Sequence, residues 1–494
     1  MRSTIKIVIL LFFICTSMSG ASFPDMEKYM RQHALIWEQL PMQWNEGAFL
    51  GNGLVGMMVY ADSTLNALVF HLGRPDVTDH RKAPYRKTSI GTEEADKMVD
   101  FCRLDVGKML LFPEGKILSG TFYLDIYNAE LTGHLKTDKG DLTFHAYTPQ
   151  PEEVNIVEVS SGVPYRWKGI PGNPCSPRIR VFPHLKEKLK YKDNPAPVVN
   201  QKDKEGSWVQ SLLAGGDYAT YWKEVPGGKS RSVLYVSTAN EVPASSLSLA
   251  KAMKTVEATQ ITGTKLLKQK TRQWWNAYHE RSFLSIPDKK LENFYFIQMY
   301  KLATCSHPDG PAMDVMGTFF KLSPWPSFWW NLNIQLTYMP IGPANRMEQG
   351  KNFQRLMDEV FPSLVRSIEP CKIGDYTWAL QNYYMYLRYA GADWQDIKQQ
   401  VVPKALDAFA VFDKILCYKE NTWHLTHIES PEYEGFQKYN DSNYGLASLS
   451  WLLQTLIACH DRTSSTHPDY ARWKEILTRL APYPTNENGL MIAA

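Results

Sequence analysis

The feature that most constrains this chain is a change of hydrophobic period near Ser245. Before it, apolar residues alternate in part or run in short blocks, at 65–72, 122–127, 142–147 and 154–159. Residues two apart share one face of a strand, so such blocks each bury a face. Lys139-Gly140-Asp141, Gly215-Gly216-Asp217 and Pro226-Gly227-Gly228 punctuate them as turns. Many short strands with glycine turns predict an N-terminal antiparallel β-sandwich. The Lys-, Asp- and Pro-rich stretch 186–204 reads as a solvated surface loop.

Beyond Ser245 the spacing becomes three and four. Leu249, Met253 and Val256, then Leu266, Leu267, Trp274, Trp275 and Tyr278, read as linker helices. Asp288 opens a helix with Leu291, Phe294, Tyr295, Met299 and Leu302 on one face. Helices are expected over 347–360, 378–389 and 393–416, the last with Ile397, Val401, Leu406, Phe409 and Phe412 as its core stripe. Asp441 reads as the N-cap of a helix carrying Leu446, Leu449, Leu453 and Leu456. The chain is thus expected to be multidomain β + α: sandwich over 22–243, helical linker over 244–284, helical domain over 285–494.

With 494 residues and 44% hydrophobic content, the chain can bury several cores. A net charge of +3 points neither to nucleic acid nor to an anionic membrane surface. Arg2 and Lys6 precede an apolar run at 7–15 that is too short to span a bilayer, and Ser19-Gly20-Ala21 offers a cleavage site. Residues 1–21 therefore read as a signal peptide, and the protein as secreted or periplasmic. No later run is long and uncharged enough for a membrane span. The six cysteines after the signal are scattered, with no CxxC and no histidine at ligand spacing, so no metal is expected. Most read as buried free thiols, with a Cys371–Cys417 pair left open.

Gly51-Asn52-Gly53-Leu54-Val55-Gly56 spells GxGxxG. Dinucleotide binding needs a helix after those glycines to hold pyrophosphate. Here Met57-Met58-Val59-Tyr60 reads as a strand, so the run is taken as a structural turn and no cofactor is expected.

The chemistry concentrates in two stretches. In 324–338, Trp325, Phe328, Trp329, Trp330 and Tyr338 surround Asn331, Asn333 and Gln335 with no charge among them. Aromatic faces suit the C–H faces of a pyranose, and amides suit its hydroxyls; a buried helix start whose amides bond backbone is the plainer alternative. About a hundred residues on comes Thr426-His427-Ile428-Glu429-Ser430-Pro431-Glu432-Tyr433-Glu434. Together, Asn331-x-Asn333-x-Gln335 and Ser430-Pro431-Glu432 resemble the catalytic core of glycoside hydrolase family 95, the inverting α-L-fucosidases and α-L-galactosidases. The Gly-Asn-Gly-x-x-Gly run after Trp37-Glu38 is similar to that family's N-terminal domain.

The resemblance implies an (α/α)6 barrel for the helical domain and an exo-acting hydrolase of terminal α-L-fucosyl or α-L-galactosyl linkages in oligosaccharide or polysaccharide glycans. Inversion takes an acid and a base on opposite sides of the ring, ~6.5–9.5 Å apart to admit water. Glu432 is the candidate acid: Pro431 fixes the backbone before it, and Ile428, Tyr433 and Phe436 are placed to desolvate it and raise its pKa. Glu429 and Glu434 compete for that role. Asn331 and Asn333 are assigned to the attacking water, with Trp330, Trp378 and Gln335 as substrate contacts. Core packing explains Trp378 equally well.

The late aspartate that the family pairs with the asparagines, and its His-rich loop, are not found; the base is expected beyond Ala494. The barrel therefore reads as incomplete at the C-terminus, and weak or absent hydrolysis is expected of this chain. Where the family carries Pro-Ala-Asn-Leu-Gln-Gly-Ile-Trp, this chain has Pro311-Ala312-Met313-Asp314-Val315-Met316-Gly317-Thr318-Phe319, which alters the hydroxyls a pocket wall would read. The alternatives carried alongside are a glycan phosphorylase or polysaccharide lyase on a related scaffold and a non-catalytic glycan-binding relative.

Overall fold

The computed structural model describes residues 25–81, 102–241, 247–327, 332–429 and 437–493; the expected signal peptide lies outside them. The first part is built from strands β1 (Leu35–Trp37), β2 (Ala48–Gly51), β3 (Gly56–Asp62), β4 (Ala67–Gly73), β5 (Lys108–Pro113), β6 (Ile117–Asp125) and β7 (Glu130–Thr137). It continues through β8 (Asp141–Tyr147), β9 (Val154–Ser161), β10 (Tyr165–Ile170), β11 (Val198–Gln201), β12 (Glu205–Ser211), β13 (Asp217–Gly228) and β14 (Arg231–Glu241). Their pairings are antiparallel and form a nine-stranded sheet, β1-β6-β7-β8-β9-β14-β13-β12-β11, and a five-stranded sheet, β10-β5-β4-β3-β2. Strand β7 shows why the period is readable: Leu131, Gly133 and Leu135 point inward while Thr132, His134 and Lys136 face solvent. Phe70, Leu111, Leu124, Phe144, Trp208 and Trp222 are among the residues that fill the space between the sheets. In the stretch 186–204, expected to be all loop, β11 pairs with β12 as an exposed edge strand.

Helix α1 (Ser248–Thr262) lies on the outer face of β13 and β14 and shares a core with Tyr221, Tyr235 and Ala239. Helix α2 (Thr264–His279) follows, with Trp275 and Tyr278 buried. A polar clamp ties α2 to β7: Arg272 donates to Glu130 Oε1 at 2.5 Å and Oε2 at 2.7 Å, with His145 Nε2 2.8 Å from Oε2. Burial alone would raise the Glu130 carboxyl, but Arg272 and His145 outweigh it and hold it at about 2. A depressed folded-state pKa stabilises above the unfolded value, and that contribution fades as pH falls through it. Glu130→Gln is expected to cost about 1–2 kcal/mol at neutral pH, allowing for solvent screening around half-exposed Arg272. The difference in urea midpoint between the two proteins should shrink toward zero near about pH 2; an undiminished gap there would contradict this ion pairing.

The helical domain starts with α3 (Lys289–Cys305), α4 (Asn333–Tyr338), α5 (Lys351–Glu359) and α6 (Phe361–Ser367). It goes on with α7 (Ile373–Tyr389), α8 (Trp394–Gln400), α9 (Val402–Phe412), α10 (Asn443–Thr463) and α11 (Tyr470–Thr478). Asp288 caps α3 as expected, accepting from Lys290 N and Leu291 N. The expected α3 stripe is only half right, because Leu291 and Phe294 are 58% and 60% exposed. The helix is wedged between two cores, with Phe296, Tyr300 and Ala303 turned to the sandwich and Met299 and Leu302 to the helices. That rotates the buried face away from a single stripe. The helix expected over 393–416 is two, with Pro403 in the first turn of the second, where its missing N–H costs no bond. Ser442, not Asp441, caps α10 by accepting from Gly445 N. Asp441 is already engaged by Leu425 N at 2.8 Å and His424 Nδ1 at 2.7 Å.

The GxGxxG run is a turn between two strands, and the reason for its glycines is a seam between domains. A Cβ on Gly53 would sit 2.4 Å from the Ser306 carbonyl carbon, and one on Gly51 2.8 Å from the Thr304 oxygen. Gly53 N donates to Thr304 O at 3.0 Å. Buried Asn52 ties the turn down, accepting from Leu54 N and Val55 N and donating to Pro149 O and Glu152 O. The five-stranded sheet is therefore covered on both faces, by its partner sheet and by the end of α3, which is why β3 and β4 are buried almost throughout. Among the described residues Cys371 and Cys417 are free thiols, so the pairing left open between them is not formed.

Candidate functional site

Helix α4 carries the second half of the Asn-x-Asn-x-Gln run; Trp330 and Asn331 lie outside the described residues. Leu332 takes φ 52°, so the backbone turns sharply into α4 and leaves Asn333 exposed at its first position. Two residues on, Gln335 is fully buried. Its Nε2 donates to Asp375 O at 2.9 Å, while its Oε1 is buried with no partner among the described residues. The amide nitrogen that the sequence offered to a hydroxyl is thus committed to the start of α7. Tyr338 closes α4, its hydroxyl donating to Asn352 Oδ1 and accepting from Met313 N, both at 2.8 Å.

Glu432 and its competitor Glu434 lie outside the described residues, but the strands on either side of that stretch pair with each other. Strand β17 (Ile428–Glu429) meets β18 (Lys438–Tyr439) with Ile428 opposite Tyr439 and Glu429 opposite Lys438. It is preceded by a hairpin of β15 (Leu416–Lys419) and β16 (Thr422–Leu425). Strand β17 rests against the turn Pro370–Lys372 that leads into α7. The start of α10 is pressed in beside it. A Cβ on Gly445 would lie 2.8 Å from Ile428 Cγ2, and one on Gly374 2.4 Å from the Tyr444 ring.

Both motif neighbourhoods meet at Asp375, which no sequence pattern singled out. Gln335 takes its backbone carbonyl, and the Tyr444 hydroxyl donates to its carboxylate Oδ1 at 2.8 Å. Burial, and then the Asp375 charge, push the Tyr444 hydroxyl well above its usual range, so it stays protonated and donating. Asp375 is itself 7% exposed in the first turn of α7. One turn further, half-buried Trp378 borders a cavity of about 230 Å3 shared with Tyr338, Phe353, Gln381, Asn382 and Tyr389. The structure thus joins Gln335, Asp375, Tyr444 and the Trp378 cavity in one region.

The departing segment 311–319 serves the domain seam. Arg103 Nη1 lies 3.0 Å from Asp314 Oδ2 and donates to Gly317 O at 2.6 Å, with both side chains buried. Among the described residues no cluster of His, Cys, Asp or Glu could hold a metal ion, and no helix is long and apolar enough to cross a membrane.

No protein-family model and no curated protein matches the chain. Among solved structures, a protein described as a kojibiose phosphorylase from the human microbiome aligns with TM-score 0.57 at 9% identity, over 89% of this chain and 66% of its own. This chain therefore spans just under two thirds of that protein. The fold, a β-sandwich followed by a helical domain, is shared. A bacterial glucoamylase complexed with acarbose aligns with TM-score 0.49 at 8% identity, over 90% of this chain and 69% of its own. A family GH92 α-mannosidase from Bacteroides thetaiotaomicron, in complex with mannoimidazole, gives 0.36 at 8% identity over 87% and 61%.

Proposed function

We propose that this protein is a secreted or periplasmic carbohydrate-active enzyme. It removes terminal α-L-fucosyl or α-L-galactosyl units from glycans with inversion, on a helical domain built as part of an (α/α)6 barrel. The observation that carries this reading is the meeting of both motif neighbourhoods at Asp375: Gln335 of the Asn-x-Asn-x-Gln run on its carbonyl, Tyr444 on its carboxylate. Glu432 protonates the leaving oxygen, Asn331 and Asn333 hold the attacking water, and Trp330 and Trp378 face the sugar ring. The exposure of Asn333 at the start of α4 supports that role.

A second reading is phosphorolysis. The phosphorylase sharing this fold supports that reading.

Proton NMR of the reaction separates the outcomes. A fucosylated or galactosylated glycan giving the β-anomer first, without phosphate, supports inverting hydrolysis. A sugar 1-phosphate formed only when phosphate is added supports phosphorolysis. Binding without either product identifies a glycan-binding protein. Asn333→Ala is expected to lower turnover about 100-fold with sugar affinity retained, because a displaced water no longer lines up with the anomeric carbon. Unchanged turnover would remove Asn333 from the site.

A further inference from the structure

The Trp378 cavity runs as a groove along α7. Trp378, Gln381, Asn382, Met385, Tyr386 and Tyr389 all border it, at spacings that place them on one helix face. Eleven residues separate Trp378 from Tyr389, about 16 Å of helix at 1.5 Å per residue. One turn from Trp378, Asn382 Nδ2 donates to Gln335 O at 2.5 Å, which ties that part of the groove to the Asn-x-Asn-x-Gln run. At the far end Tyr389 is 50% exposed.

Two features distinguish the groove from an ordinary apolar face. Its lining combines aromatic rings with two side-chain amides and has no charged side chain. Its tyrosines are also held in place by glycines from the facing loops. A Cβ on Gly342 would lie 2.1 Å from the Tyr389 ring, and one on Gly350 2.5 Å from the Tyr386 ring. The Tyr386 hydroxyl donates to Met347 O at 3.3 Å. Rings fixed before a ligand arrives lose little freedom on binding.

We propose that this groove binds the uncharged sugar units on the leaving-group side of the substrate. The proposal rests on the carbohydrate-active reading above and narrows it to neutral oligosaccharides. Beyond the sugar that Trp378 faces, ring C–H faces stack on Tyr389, and Gln381 pairs with hydroxyls. A uronic acid, sulfate or sialic acid carboxylate would enter a lining with no cation to receive it.

The test is calorimetric titration of the full chain, as Glu432→Gln so that nothing is consumed, with 2′-fucosyllactose, free L-fucose, lactose and 6′-sialyllactose. The expected result is that Tyr389→Ala weakens 2′-fucosyllactose and lactose about tenfold and leaves L-fucose unchanged, with Gln381→Ala acting in the same direction. Both side chains reach solvent, so folding should survive, and circular dichroism checks it. Trisaccharide affinity indifferent to both variants would overturn the groove while leaving the fucose site standing. Lactose bound in the groove with no response to L-fucose would keep the groove and sink the fucose assignment. 6′-Sialyllactose bound as well as lactose, or Tyr389→Ala changing the oligomeric state without changing sugar affinity, would overturn the proposal. Failure of all four probes to bind would overturn both readings.

Discussion

Glu432→Gln is expected to lower release of the terminal sugar by about 100- to 10,000-fold, with affinity for the free sugar unchanged. Glutamine keeps the shape and the hydrogen-bonding atoms but has no proton to give the leaving oxygen. Glu429 supplies the control. It stands opposite Lys438 across the β17–β18 pair, where directly opposed side chains are neighbours. It lies in a paired strand, outside the Ser-Pro-Glu run that the resemblance assigns to the acid. Glu429→Gln should therefore change kcat much less. Steady-state kinetics on both variants, with KM reported separately, decide the matter. Full turnover in Glu432→Gln would dismiss the assignment, and a large loss in Glu429→Gln alone would transfer it.

Gly53→Ala should destabilise the whole protein by about 3 kcal/mol or more. Two costs combine. Gly53 has φ +82°, a region that disfavours any side chain. Its new methyl would also lie 2.4 Å from Ser306 C and 2.5 Å from His307 N, both backbone atoms that follow the end of α3. Relieving the contact means parting the turn from α3 and losing the bond from Gly53 N to Thr304 O. Gly215→Ala separates the two costs, since Gly215 has φ +102° and a methyl added there would meet nothing within 4 Å. It should cost about 1–2 kcal/mol. Equal urea midpoints for the two variants would show that the seam yields easily.

The sandwich was legible where strands such as β7 and β8 bury one face, because burying one face imposes a period of two. Strand β8 falls over the alternation read at 142–147. Helix α10 was equally clear, with Leu446, Leu449, Leu453 and Leu456 all buried. Helix α3 misled because a helix wedged between two cores has no single apolar stripe. The choice of Asp441 over Ser442 as a cap turned on a contact with β16, invisible without knowing that β16 lies there. The candidate site divides in the same way. The Asn-x-Asn-x-Gln run stood out because its residue types suit sugars, whereas Trp378 entered only through the family resemblance. Asp375 could not be seen, since its partners are 40 and 69 residues away and no local spacing encodes such a meeting. The acid candidate and two of its companions, Asn331 and Trp330, fall outside the described residues.

The contacts of Gly374 with Tyr444 and of Gly445 with Ile428 set how far apart α7, α10 and β17 stand. On the proposed chemistry these elements carry the two ends of the acid's segment and the support for the asparagines. The separation of the acid from the second catalytic group is what sorts inverting from retaining glycosidases. On that chemistry two missing methyl groups set how closely the strand leading to the acid packs on α7 and α10. The anomeric form of the released sugar would then depend on how closely the backbone packs, several residues away from any atom that touches it.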